Sequence, residues 1–279
     1  MSDDAGSDEA RDYVSGIGDP RIHYRRNATR LGAALNHYAG FQAARGEYIA
    51  CLNDDDTWEP SFLAEMLGHL EQHPEVVVAF CDHWIMDEEG KVLEKVTEED
   101  SRKFGRVGLR AGLHRPFYHL VMGHCIPMVM AAVFRRSILD GAPYPRRLGG
   151  VYDLWLSHLA VRTGGGAYYD PRRLTNYRIH STRYTERGGS ELFRASIYVN
   201  RCFLKMPEYA AYHSHVANDL GMVYGQFALH LARNRKWRRA WILERTAFRL
   251  MNRWKNRLGL VKKTAATFWK MALPAAPSR

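Results

Sequence analysis

Cysteine is scarce and scattered. The 279-residue chain has four, Cys51, Cys81, Cys125 and Cys202, with no CxxC pair and no Cys/His cluster. That pattern excludes a zinc finger or a disulfide framework and leaves buried thiols in a reducing compartment. Long apolar runs are missing as well, since nothing approaches the ~18 residues a membrane-spanning helix needs. The N-terminal MSDDAGSDEARD has neither a basic stretch nor an apolar core, so it is not a signal peptide. The expected location is cytoplasmic. Acids almost vanish after residue 230: residues 231–279 carry 14 Lys+Arg against Glu244 alone, whereas residues 1–230 carry 26 basic and 29 acidic side chains. The net charge of +10 therefore belongs to the tail, and the body is slightly acidic. With 46% hydrophobic and 25% charged residues, what remains is an ordinary globular composition.

Strand and helix patterns alternate along the body. RIHYRR (21–26) reads as a short strand, and 27–46 as a helix stopped by Gly46. EYIACL (47–52) and EVVVAFCDHWIM (75–86) read as buried strands. Between them a helix runs from the Ser61 cap to about His73, before Pro74. Residues 92–115 read as irregular and charged, 127–139 as strand then helix, and 151–163 as a helix. GGGAYYD (164–170) enters one strand and RRLTNYRIH (172–180) forms another; beyond about Ser190 the pattern is helical. The expected class is α/β with a mostly parallel sheet in residues 1–188, followed by a basic helical region, 189–279.

Ligands of open α/β sheets sit at the carboxyl ends of strands, which is where Asn53-Asp54-Asp55-Asp56 falls. Adjacent carboxylates repel unless a cation or hydrogen-bond donors offset them. Two readings stand: a loop that holds a hard divalent cation clamping a diphosphate, or a solvated acidic turn at a helix N-terminus.

GEYIACLNDDDTWEP resembles the central motif of the family-2 glycosyltransferases, which have the GT-A fold (a Rossmann-like α/β sheet). SDDAGSDEA, NATRLGAALNHYAGFQAARG, YDLWLSHLA and RRLTNYRIH resemble further motifs of that family in the same order, covering roughly residues 2–185. The resemblance implies transfer of a sugar from a nucleotide diphosphate sugar to an acceptor hydroxyl, usually with inversion, assisted by Mn²⁺ or Mg²⁺. It makes Asp55 the metal-binding acid, with His180 completing the metal shell. Asn53, Asp54 and Arg178 then contact the nucleotide sugar, and Asp3 and Asp4 its base and ribose. Asn53 stands where many members have Asp. For the catalytic base, Val151 falls at the usual position, and Asp153 is the only carboxylate in GVYDLW. Either Asp153 matches a second acid or it serves as base itself.

The bland alternatives are a frayed terminus for Asp3 and Asp4, an N-cap for Asp153 and a structural histidine at 180. His114, His119, His124 and His158 read as structural, and Trp58 and Trp84 as packing. The family opens with a strand, a nucleotide loop, a helix and a second strand, none of which precedes Ser2. The sequence thus reads as N-terminally truncated, by choice of start codon or as an inactive remnant. In the tail, Leu243, Ala247, Leu250, Trp254, Leu258 and Val261 recur at helical spacing among cations. They face either a helical bundle or an anionic membrane. The expected partners are the donor, a glycan or lipid-linked acceptor, and this membrane surface at the inner face. No nucleic acid is expected, as no recognised reading motif is present.

Overall fold

The computed structural model describes residues 1–6, 8–126, 129–180, 189–252, 256–260 and 262–264. The chain divides into two units, Met1–Tyr184 and Thr185–Arg279. Residue 188, where the sequence places a boundary, lies outside the described residues, as do Trp254 and Val261 of the tail stripe.

The first unit runs β1 (Ser2–Asp3), α1 (Asp8–Ile17), β2 (Arg25–Arg26), α2 (Ala33–Ala43), β3 (Tyr48–Ala50), β4 (Thr57–Trp58) and α3 (Phe62–Gln72). It continues with β5 (Val76–Met86), α4 (Glu94–Lys103), β6 (Gly112–His114), α5 (Tyr118–Met122), β7 (Ala132–Arg135), α6 (Tyr152–Val161) and β8 (Gly166–Arg178). β1 and β2 form a small parallel pair. The other strands form one sheet in the order β3-β7-β5-β8-β4, with β6 also on β8.

The α/β expectation holds, but the ladder directions correct the mostly parallel sheet. β5 and β8 run parallel, whereas β3/β7, β7/β5, β4/β8 and β6/β8 are antiparallel. A parallel pair needs a long crossover. The chain between β5 and β8 supplies one, and β7 slots between β3 and β5 in the opposite sense.

The core is built where α3 meets β5. Phe62, Met66 and Leu70 recur every four residues, so one helical face is fully buried against Val76, Ala79, Cys81 and Val133. β5 is covered on both faces, which is why it reads as an unbroken apolar run. Arg135 pins the layers together: Nε donates to the Val76 carbonyl (2.8 Å), Nη2 to the Leu70 carbonyl (2.7 Å) and Nη1 to Glu47 (2.9 Å).

Two local expectations change. Residues 92–115 contain α4, whose buried residues are the polar Thr97 and Ser101. GGGAYYD and RRLTNYRIH supply one strand, β8, not two; its ladder with β5 skips Pro171 and Arg172, so the strand bulges there. A Cβ at Gly165 would lie 2.4 Å from Val77 Cγ1, so the entry to β8 requires glycine.

The second unit holds α7 (Gly189–Phe203), α8 (His213–Arg233) and α9 (Trp237–Leu250). α8 and α9 approach through small residues. Ala240 and Ala247 are buried, and a Cβ at Gly221 would lie 3.0 Å from the Ala247 carbonyl oxygen. In α9 Leu243 and Ala247 therefore pack inward, Leu243 against Phe227 and Leu231 and Ala247 with Met251 and Leu260. Leu258 of the tail stripe, beyond α9, is 41% exposed. Among the described residues no helix is long and apolar enough to cross one.

Candidate active site

β3 ends at Ala50, and the chain turns through the acidic loop before β4. Asp56 is buried there and clips the loop in place. One oxygen accepts the Arg178 backbone N–H (3.0 Å) and the other accepts Asn53 Nδ2 (2.8 Å). Burial pushes its carboxyl up to about 6, against those two bonds. Asp55 is half-buried, with Oδ2 3.0 Å from His180 Nε2. Its backbone carbonyl accepts Arg178 Nε (2.9 Å). Arg178 Nη1 donates to the carbonyls of Asp87 (3.1 Å) and Glu88 (2.9 Å), so this guanidinium braces the loop from the end of β8. Asp54 is exposed.

The start of α6 forms the other wall. Asp153 lies in its first turn, with Oδ1 accepting the Leu154 N–H (2.7 Å). Burial raises its pKa, and the Leu154 bond and the nearby charges of His124 and His37 offset this only partly. Its neighbour Tyr152 reaches His37 Nε2 through its hydroxyl (3.1 Å), and the two rings stack at 4.3 Å. His37 Nε2 also lies 3.2 Å from Asn53 Oδ1, and Nδ1 lies 2.7 Å from the Ala33 carbonyl. One imidazole thus joins α2, the acidic loop and α6. Tyr144 stacks on Tyr38 (4.1 Å), and its buried hydroxyl has no hydrogen-bond partner. Burial and then the Asp153 charge push the Tyr144 hydroxyl well above its ordinary value.

Asn53, Asp55, Arg178 and His180 are therefore brought together, while Asp153 connects to them through Tyr152 and His37. Asp3 and Asp4 bond to other groups. Asp3 accepts bonds from Tyr24, Arg26 and the Gly6 N–H, with the Tyr24 bond the main cause of its lowered pKa. Asp4 accepts the N–H groups of Leu31 (2.6 Å) and Gly32 (2.8 Å) and Asn27 Nδ2 (3.1 Å). These bonds tie β1 to the start of α2. Trp58 packs as expected, its Nε1 donating to the Met130 carbonyl (2.7 Å).

Sequence reasoning missed His37, Tyr144 and the hydroxyl of Tyr152. The ring of Tyr152 sits on a helical face that reads as core, and His37 is 115 residues away. His124 reads as structural, yet its backbone is left-handed at φ 50° and its charge reaches Asp153.

A second acidic cluster, Glu65, His69 and Asp170, gathers three potential ligand atoms. Arg172 already supplies the cation, donating to both Glu65 oxygens (2.9 and 2.8 Å) and to Asp170 (2.6 Å). Against burial, these Arg172 bonds hold the Asp170 carboxyl down to about 2. The geometry is that of an ion-pair clamp between α3 and β8.

Residues 1–139 match the model of glycosyl transferase family 2. The chain belongs to that family. Among curated family relatives, the uncharacterized glycosyltransferase RT0329 of Rickettsia typhi is 22% identical over 192 residues, covering 68% of this chain and 57% of its own. WfaP of Escherichia coli, a UDP-Glc:alpha-D-GlcNAc-diphosphoundecaprenol beta-1,3-glucosyltransferase, is 24% identical over 70% of this chain and 71% of its own. The chain spans 23% and 57% of the lengths of the first two curated relatives it matches. Among solved structures, S. aureus TarS 1–349 superposes with a TM-score of 0.62 at 12% identity, covering 98% of this chain and 82% of that one. The same TarS segment is also solved in complex with UDP-GlcNAc. At that identity the likeness establishes a shared GT-A-type fold.

Proposed function

We propose that this family-2 glycosyltransferase moves a sugar from a nucleoside diphosphate sugar to an acceptor hydroxyl, with inversion at the anomeric carbon. The observation that carries this reading is the Asp55–His180 pair. Two residues 125 positions apart meet at 3.0 Å at the carboxyl end of β3, where α/β folds bind ligands. One carboxylate oxygen and one imidazole nitrogen, both partly open to solvent, suit Mn²⁺ or Mg²⁺ completed by diphosphate oxygens and water. Asp55 and His180 would hold the ion, which when bound neutralises charge on the departing diphosphate.

The remaining chemistry belongs to the chain. Asp153 accepts the proton of the acceptor hydroxyl, whose oxygen attacks the anomeric carbon as the nucleoside diphosphate leaves. Its raised pKa suits that task, because a base poised nearer neutrality takes the proton more effectively. Asn53 and Asp54 face the donor, with Arg178 fixing the loop beneath them. Asp3 and Asp4, at the start of the same unit, contact the base and ribose of the donor nucleotide. The acceptor we propose is a glycan or lipid-linked glycan, reached in the cytoplasm at the inner face of the membrane.

Thermal unfolding tests the reading. UDP or GDP with Mn²⁺ at about a hundredfold excess over Kd should stabilise the fold by roughly 2.7 kcal/mol, and Mn²⁺ dependence should vanish in Asp55→Ala and His180→Ala. The reading fails if no nucleoside diphosphate shifts unfolding with or without the metal. A non-catalytic nucleotide-sugar-binding protein would give the shift without releasing nucleoside diphosphate from the donor, and a release assay separates the two.

A further inference from the structure

α9 leaves much of its apolar surface outside the packing of its unit. Its buried residues are Ala240 and Ala247. Leu243 packs inward, but four other large apolar side chains point outward: Trp241 is 57% exposed, Ile242 52%, Phe248 44% and Trp237 36%. The solvent face of an ordinary amphipathic helix carries charged and polar side chains, not a row of large apolar ones. On an ideal helix Trp237, Phe248 and Trp241 form one ridge, with Arg245, Arg238, Arg249 and Ile242 beside it, all within about 140° of arc. Arg238, Arg245 and Arg249 are exposed, and Arg245 lies over the Trp241 ring at 4.6 Å. The only acid of the helix, Glu244, sits at the edge of that arc beside Trp237 and Trp241 and is half-buried. Beside the face opens a cavity of about 260 Å³, with Arg194, Lys236 and Arg239 around Phe227, Leu231 and Ile242. Ile242 belongs to both features.

We propose that the outer face of α9 docks flat on an anionic lipid bilayer. Tryptophan, phenylalanine and isoleucine enter the headgroup boundary, and the arginines meet lipid phosphates. The basic cavity receives one phosphodiester headgroup, with an acyl chain leaving along Ile242. A second copy of the chain is the rival occupant, but a two-fold pairing of this face would set arginine against arginine with only Glu244 at the edge to balance them. The proposal deepens the membrane-proximal reading above, and its test is independent of nucleotide binding.

The experiment is co-sedimentation of the full chain with phosphatidylglycerol-containing vesicles at low salt. Expected are binding to these vesicles, at least tenfold weaker binding to pure phosphatidylcholine, and loss of binding as salt rises. Trp241→Ser and Ile242→Ser should each weaken binding at least tenfold, as should Arg245→Glu. Arg102→Glu, an equal charge change on exposed α4, should leave binding unchanged. Unfolding midpoints and the nucleoside diphosphate shift should be unaltered, since every changed side chain is exposed. No binding by the wild-type chain would overturn the proposal. So would equal weakening by Arg102→Glu, or a dimer in sedimentation velocity that Trp241→Ser abolishes while vesicles remain unbound.

Discussion

Asp153→Asn is expected to lower kcat for sugar transfer by about 10²–10⁴-fold, the usual contribution of a positioned general base. Nucleoside diphosphate binding should survive, because the carboxyl lies in α6 and the Asp55–His180 pair is untouched. The pH profile carries the sharper signature. Burial raises the Asp153 pKa, so the acid limb of kcat/KM should lie above the ordinary carboxylate range. Below that limb the carboxyl is protonated and cannot accept a proton, so the rate falls as pH drops through it. In Asp153→Asn the limb should disappear. Stability provides the control. The folded chain holds this proton at higher pH than the unfolded chain does, so the ionised carboxylate costs stability above the raised pKa. Asparagine imitates the protonated form, and the variant should be no less stable than wild type at neutral pH. Full activity in Asp153→Asn would remove Asp153 from the mechanism.

Arg106→Met should be the most damaging single change to the first unit, at about 3–5 kcal/mol, the cost of leaving a buried charge without its partner. Arg106 and Asp82 are 3% and 5% exposed and meet at 2.8 Å. Asp82 also accepts the Ser101 hydroxyl (2.7 Å) and the His83 N–H (2.9 Å), and Arg106 reaches Asp100 (2.6 Å). Removing the guanidinium leaves the buried Asp82 carboxylate with the Ser101 hydroxyl, the His83 N–H and only the more distant Arg173, whose Nε is 3.7 Å away. Urea unfolding at neutral pH measures the loss. The double variant Asp82→Asn/Arg106→Met should recover at least half of it, because the orphaned charge is gone. A loss under 1 kcal/mol in the single variant would mean that water reaches Asp82. The network anchors α4 to β5, whose end leads to the Asp87 and Glu88 carbonyls that grip Arg178. Destabilisation here should therefore loosen the acidic loop as well.

What was legible in the sequence follows from where its pattern was local. α3, β5 and α6 announce themselves because their buried faces are apolar at the period of the element. α4 is invisible by that signal, since its buried face is Thr97 and Ser101, and Arg106 looks like any surface cation until Asp82 is placed beside it. β8 reads as two strands because Pro171 interrupts it, yet a bulge absorbs the break. The acidic loop is conspicuous in sequence, but its internal division of labour is not. Asp56 is a buried clip and Asp55 faces His180, a distinction that depends on the end of β8. The same holds for His37, which becomes a bridge between loop and helix only through Tyr152.

β8 is flanked by β5 on one side and by β4 and β6 on the other, and its end delivers both Arg178 and His180 to the acidic loop. During synthesis the loop emerges more than a hundred residues before the strand that completes it. Until β8 inserts, Asp55 lacks His180, Asp56 lacks the Arg178 N–H, and β5 has an unpaired edge in its nascent sheet. Closing that distance is a high-separation step, of the kind that slows folding and leaves strand edges open to wrong partners. If the acidic loop holds the donor as proposed, a nascent chain stopped before residue 166 would display the family's acidic motif without the Arg178 and His180 contacts behind it.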